Sequence, residues 1–376
     1  MVQVYRSSRV LFWMVLWVVA LITAAHSAEQ KAAWQGEWEK IMQAARQEGV
    51  VAIYGPPGTE RRKALVDSFQ KAHPAIRVEY LGGTGRDEAP RMLAERKAGR
   101  FIIDLHIGGT TTINATLKPA GVLEPIRPYL ILPEVTDPSG WLKRRLWFAD
   151  DEERYNLMFQ GDVAAFVVVN TGLVEKGEIT SYWDLLKPKW RGRIVAADPR
   201  SPGQGGVPSV FLYSHPKIGP GFFERLFKET EITVSSDARQ MVDWLAQGRY
   251  AIHLFPDHSE VKKAIDLRLP VAILPSEQFK EGVPLGVGFG SVAVLNRAPH
   301  PNAAGVYLNW LLSREGQMAW QTLTGSSSLR MDISREGLPP WIVPREGVEY
   351  MAGGLERYLP LRSEIRKLVD RALAGK

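Results

Sequence analysis

Three short stretches place glycines where an apolar run gives way to a helical pattern. They are Gly55-Pro56-Pro57-Gly58 before Thr59, Gly82-Gly83-Thr84-Gly85 before Arg86, and Gly108-Gly109-Thr110-Thr111. Glycine lets the backbone approach a ligand closely and present its N–H groups, and the helix that follows adds a partial positive charge that favours an anion. A single such turn is an ordinary connection. Three in series gather donors around one point, which makes Gly55, Thr59, Gly83, Thr84, Gly85, Gly109 and Thr110 candidate ligand-binding residues. Tyr54, ending the first run, is suited to stacking on or hydrogen-bonding a ligand, and Arg86 to facing an anionic group. A fourth stretch, Ala197 to Gly206, offers further amides together with Arg200, Gln204 and Gly205. Asp257 and His258 complete the candidates and keep a metal reading open.

Catalytic patterns are thin. The histidines His73, His106, His215, His253, His258 and His300 form no His-x-x-x-His pair, which a helix-borne zinc site would use. There is no Gly-x-Ser-x-Gly elbow and no glycine turn closing on Gly-Lys-Ser or Gly-Lys-Thr. Asp257-His258-Ser259 has the residue types of a triad, but the members of a triad need separate positions in the fold. Asp150-Asp151-Glu152-Glu153 reads as a solvated acidic face. The chain has no cysteine, so disulfides, thiolate nucleophiles and cysteine metal sites are excluded.

The elements that must position these residues follow a rhythm. A helix over 32–47 carries Trp38, Ile41, Met42 and Ala45 at helical spacing and stops at Gly49. Val50–Tyr54 reads as a buried strand, and Thr59 as the cap of a helix over 60–72. Strand 76–80 leads to a helix over 86–97, and strand 101–107 to another helix ending at Gly121. Strand, glycine turn and helix, three times over, predict an α/β fold with a parallel sheet. Right-handed crossovers then put all three turns at one sheet edge, where open α/β sheets bind ligands. Residues 162–170 form the most apolar strand of the mature chain and suit a segment crossing between two lobes. A second α/β set follows: helix 181–186, strand 193–197, helices 220–230 and 237–247, and strand 250–255. Residues 271–274 are expected to cross back and 290–295 to rejoin the first lobe. Beyond them come a helix from 302 to 320 and a charged amphipathic tail helix ending near 373. The expected division is 29–165 for the first lobe, 166–274 for the second, 275–325 for the return, and 326–376 for the tail.

Before all of this, Arg6 and Arg9 precede an apolar run over 10–25, and small residues (Ala24, Ala25, Ser27, Ala28) follow. That is the signature of a secretory signal peptide over 1–28, with cleavage after Ser27 or, favoured by the polar Glu29-Gln30 that follows, after Ala28. Its removal takes two arginines, so the net charge falls from +6 to +4. Lysines and arginines are interspersed with acidic residues, which gives no case for a nucleic-acid partner. The remaining length exceeds what one core usually supports, so two lobes are the natural expectation.

The order of the pieces resembles bacterial extracellular solute-binding proteins of ABC importers. The resemblance rests on Trp38-Glu39-Lys40 through Gly49 before Val50–Tyr54, on Val169-Asn170-Thr171-Gly172-Leu173-Val174 with Tyr182-Trp183-Asp184-Leu185-Leu186, on Pro188 to Ile194, and on Ala303–Leu312 with Ser313-Arg314-Glu315-Gly316-Gln317. It covers about residues 37–325 and is similar in particular to the ferric-iron-binding branch. It implies a two-lobed type II periplasmic-binding fold, closing by a hinge on a small-molecule solute and docking on a membrane permease, with no cofactor and as a monomer. That branch holds iron with an adjacent tyrosine pair after the last strand of the second lobe. Here that stretch reads Phe255-Pro256-Asp257-His258-Ser259, without tyrosine. Ferric ion wants hard anionic oxygen ligands, so an anionic or polar solute is expected instead. The family's synergistic-anion loop aligns with Arg200–Gly206. Enzymes that share the fold, the hydroxymethylbilane and thiamine-pyrimidine synthases, rely on cysteine, which is absent. A solute-sensing partner of a sensor kinase would use the same closure.

Overall fold

The computed structural model describes residues 34–200, 205–275, 278–345 and 347–374, with the Arg86 side chain excepted. The expected signal peptide lies outside these residues, as do residues 29–33 and Gln204. No helix among the described residues is long and apolar enough to cross a membrane.

Three sheets form among the described residues. The first, seven-stranded, belongs to the first lobe. Val50–Gly55 lies next to the edge, parallel to the edge strand Arg77–Gly82 on one side and to Leu105–Gly108 on the other. Ser291–Leu295 runs antiparallel to Leu105–Gly108, so a strand late in the chain closes the first lobe as expected. Val51, Ala52 and Ile53 are buried, so both faces of this interior strand are covered. All three glycine turns fall at one edge of the sheet because the three strands are parallel.

The second lobe holds a five-stranded sheet. Ile194–Ala197 runs parallel to both Thr233–Ser235 and Ile252–Leu254. Val167–Asn170 is antiparallel to Ile252–Leu254, and Val271–Ile273 is antiparallel to Val167–Asn170 at the edge. Residues 271–274, expected to cross between lobes, are therefore an edge strand. The crossing happens later, through Val283–Gly286.

The third sheet lies between the lobes. Asp162–Val163 pairs antiparallel with Val283–Gly286, which pairs parallel with Tyr350–Ala352. The apolar run over 162–170 is thus not one strand. It splits into Asp162–Val163 in the small sheet and Val167–Asn170 in the second lobe, with residues 164–166 as the link between them. Periodicity could not show this split, because both halves are buried. The long helix expected over 302–320 is also two, Pro301–Leu312 and Arg314–Thr324. Ser313 separates them and caps the second by accepting from the Gly316 N–H. The first of these is buried from Ala303 to Leu312 and docks under the first-lobe sheet, with Tyr307 donating to Leu65 O at 2.8 Å.

Candidate functional site

At the edge of the first-lobe sheet the three turns touch one another. Gly83 N–H donates to Gly55 O at 3.0 Å. A Cβ on Gly55 would lie 2.3 Å from the Tyr80 ring, and one on Gly85 would lie 1.8 Å from Thr112 Oγ1. Glycine is therefore required at both positions by close approach within the wall itself. The Tyr80 hydroxyl donates to Pro56 O at 2.5 Å and holds the first turn down. Gly58 takes the left-handed φ of 113° at the cap position of the next helix. Thr59, expected as the cap, is instead the first helical residue and is exposed. Thr84 is also exposed and donates to Asp87 Oδ2 at 2.6 Å. Gly109 precedes Thr110, which is buried (5 % exposed) and whose carbonyl accepts from Asn156 Nδ2.

Tyr54 is not on the rim. It faces the helix Gly85–Lys97, is 2 % exposed, and its hydroxyl lies 3.5 Å from Glu95 Oε2. Burial, then Glu95, raises its pKa. The cause is strand alternation: Tyr54 shares a face with Ala52, and both pack in the small apolar cluster with Ala89 and Met92.

The second lobe presents Gly205 at the start of the helix Gly206–Ser214. Gly205 is held against the Pro199 backbone, where a Cβ would lie 2.8 Å away. Arg200 is not free to meet a solute charge unopposed. It forks onto Asp198 (Nη2–Oδ2 2.8 Å) and reaches Asp370 of the C-terminal helix (3.0 Å). The hydrogen bonds to Asp198 and then Asp370 raise its pKa, and Arg200 correspondingly lowers that of Asp198. After Ile252–Leu254, Phe255 is fully buried at φ 59°. Asp257 accepts from the N–H groups of Ser259 and Glu260 and caps the helix His258–Asp266. His258 Nε2 lies 2.7 Å from Ala165 O on the crossing segment. Asp257 and His258, expected as solute or metal contacts, thus hold the turn and the hinge. Aspartate is a favoured N-cap type, so the role of Asp257 was legible in its type, whereas the contact of His258 was not.

Two features escaped the sequence reading. Behind the wall, His106 Nε2 stands 3.6 Å from Glu88 Oε2, too long for a hydrogen bond. Both side chains are buried, and neither ring nitrogen of His106 nor Glu88 Oε1 has a hydrogen-bond partner. The other feature is Gly353-Gly354, just after Tyr350–Ala352. A Cβ on Gly354 would lie 2.3 Å from Thr110 Oγ1, and one on Gly353 would lie 2.4 Å from Val207 Cγ1. The tail therefore passes between the first-lobe wall and the second-lobe helix. The signal was available: it is the strand-then-glycine pattern of the other three turns, late in the chain. Among the described residues no cluster of three His, Asp or Glu side chains is placed to hold a metal ion.

Solved structures of low identity share this fold. One is a Trichodesmium protein (IdiA, FutA) in complex with iron and citrate, with TM-score 0.65 and 18% identity, covering 86% of this chain and 99% of that one. Another is an ABC transporter protein from Clostridium perfringens, with TM-score 0.66 and 14% identity over 86% and 99%. A third is the periplasmic binding protein AfuA from Actinobacillus pleuropneumoniae with fructose-6-phosphate bound, with TM-score 0.53 and 18% identity over 87% and 99%. No curated protein sequence matches the chain. Residues 55–318 match the family described as bacterial extracellular solute-binding protein. With its two α/β lobes and antiparallel closing strand, the chain belongs to that family, the bacterial extracellular solute-binding proteins of type II periplasmic-binding fold.

Proposed function

We propose that this protein captures a small anionic or polar solute between its lobes in the periplasm and delivers it to the permease of an ABC importer, as a binder and not a catalyst. What supports this reading is that glycine turns of the first lobe meet at one sheet edge, Gly83 on Gly55 and Gly85 on Thr112, and that Gly354 and Gly353 lie against Thr110 of that wall and Val207 of the second-lobe helix that follows Gly205. Backbone N–H groups and helix N-termini in such a cleft favour oxyanions. Iron with citrate in one relative and fructose-6-phosphate in another both bring clustered anionic oxygens, which suits the same kind of wall. Export by a cleaved signal peptide over 1–28 and action as a monomer belong to the same reading. Arg200 takes part as a guanidinium already oriented by two carboxylates, so it contributes direction more than net charge.

A thermal-shift screen over sugar phosphates, phosphonates, sulfonates, carboxylates and ferric citrate tests it. A true solute at a hundred times its Kd stabilises the fold by about 2.7 kcal/mol. A shift from ferric salts alone, with none from any organic anion, overturns the choice of solute. Arg200→Ala is expected to weaken the identified solute roughly tenfold, the scale of one lost charge-assisted hydrogen bond. Unchanged affinity removes that side chain from the site.

A further inference from the structure

The segment after Val348 does more than end the chain. Tyr350–Ala352 joins the interlobe sheet beside Val283–Gly286, and Gly353 N–H donates to Leu285 O. Gly353 and Gly354 then thread between Val207 and Thr110, where neither position has room for a side chain. Directly beyond, Glu356 fastens to the first lobe by three contacts. Its N–H donates to Ala149 O at 2.7 Å, and its Oε2 accepts from Lys118 Nζ at 2.6 Å and from the Asp151 N–H at 2.9 Å. The helix Leu361–Ala374 fastens to the second lobe instead. It buries Ile365, Leu368, Val369 and Ala372 against the helices Gly206–Ser214 and Gly219–Glu229. Polar ties reinforce it: Tyr213 donates to Glu364 at 3.0 Å and Arg200 to Asp370 at 3.0 Å.

We propose that residues 350–361 are a strap across the cleft that limits how far the two lobes can part. The limit follows from chain length. Glu356 is anchored on one lobe and Leu361 begins the helix carried by the other. Five residues, fully extended, span at most about 17 Å. The slack is less than that, because Glu356–Tyr358 is coiled as a helical turn and Arg362 also donates to Thr111 Oγ1 of the first lobe at 3.4 Å. Rotation about the interlobe sheet would carry the C-terminal helix away from Glu356, so wide opening requires the Glu356 contacts to break. The strap lies beyond the 55–318 stretch that matches the family. It is a property of the two-lobed fold and does not depend on which solute the cleft takes.

The absence of cysteine lets two be introduced for spin labels, Lys97→Cys on the first lobe and Lys262→Cys on the second. Pulsed electron paramagnetic resonance then reads the interlobe distance with no solute added. Breaking the anchor with Glu356→Ala, or from the other side with Lys118→Met, is expected to shift the distribution to longer distances and broaden it. A distribution unchanged from the parent in both variants overturns the proposal. Either variant is sufficient provided its melting stays cooperative. The unmutated chain gives a second measurement: hydrogen exchange of the amides of 353–356 is expected to be at least about tenfold slower than in an unstructured segment. Exchange at the unstructured rate overturns the strap. Because neither measurement uses a ligand, failure of the solute reading and failure of the strap are told apart.

Discussion

Arg330 shows how much one buried charge can be asked to hold. It is almost wholly buried, with Nε and Nη2 on the Asp332 carboxylate and Nη1 donating to Glu134 O and Leu312 O. Its guanidinium also lies over the Trp141 ring at 5.2 Å. Replacing Arg330 with methionine keeps the volume but leaves two buried carbonyls without their donor. The expected loss is about 3 kcal/mol, seen as a lower midpoint in chemical denaturation. A loss under about 1 kcal/mol would mean that water replaces the donors. Nothing in the sequence marks Arg330 out from the other arginines, since its importance comes entirely from the carbonyls that converge on it. The same holds for Tyr54 and His258, whose types were legible but whose directions were not. The glycines were more legible, because glycine signals a steric demand whatever the partner, and Gly55, Gly85 and Gly205 each meet such a demand.

The elements that join the lobes carry the pH dependence. Asp162, in the strand Asp162–Val163, accepts from the Ser327 N–H and from Gln160 Nε2, both at 2.6 Å, with Arg335 nearby. Burial dominates these favourable contacts and pushes its pKa up to about 6. A carboxyl that binds its proton more tightly folded than unfolded favours the folded state at low pH. That contribution is present below the unfolded value near 4 and is lost as pH rises to about 6. Its size is on the order of 3 kcal/mol. Comparing Asp162→Asn with the parent by denaturation at pH 4, 5, 6 and 7 should show a smaller fall in stability for the variant over this window. Parallel curves would remove Asp162 as the source. The sequence predicted the longer strands of both lobes, such as Val50–Gly55 and Ile194–Ala197, whose buried β-branched runs are plain, but not the short strands Leu123–Glu124, Trp147–Phe148, Leu157–Met158 and Thr233–Ser235. It missed the break at 164–166, because a change of sheet without a change of burial leaves no trace in the pattern.

At the scale of the whole molecule, the proposed function implies that a bound solute drives closure about the small sheet. Solution scattering is expected to show a smaller radius of gyration with saturating solute than without. The strap makes that difference smaller than free lobes would give, and Glu356→Ala should enlarge it by expanding the solute-free state. An identical radius with and without a solute that demonstrably stabilises the fold would refute closure. The ion pair at Glu356 should withstand ordinary pH. Burial raises its carboxyl, but Lys118 and the Asp151 N–H lower it further, leaving it below the usual carboxylate range. Its stabilising effect is therefore present above about pH 4 and is lost only as pH falls below that.

By itself the sequence determined the α/β class, the two lobes, the three glycine turns at one edge and the family to which they belong. These follow from local signals: burial period, glycine at strand ends, and chain order. Only the tertiary structure decided which way these side chains point, since a tyrosine at a strand end can point to either face. It alone placed the C-terminal glycines between the lobes. Contacts between residues 110 and 354, or 118 and 356, depend on where remote segments come together, and no local pattern encodes that.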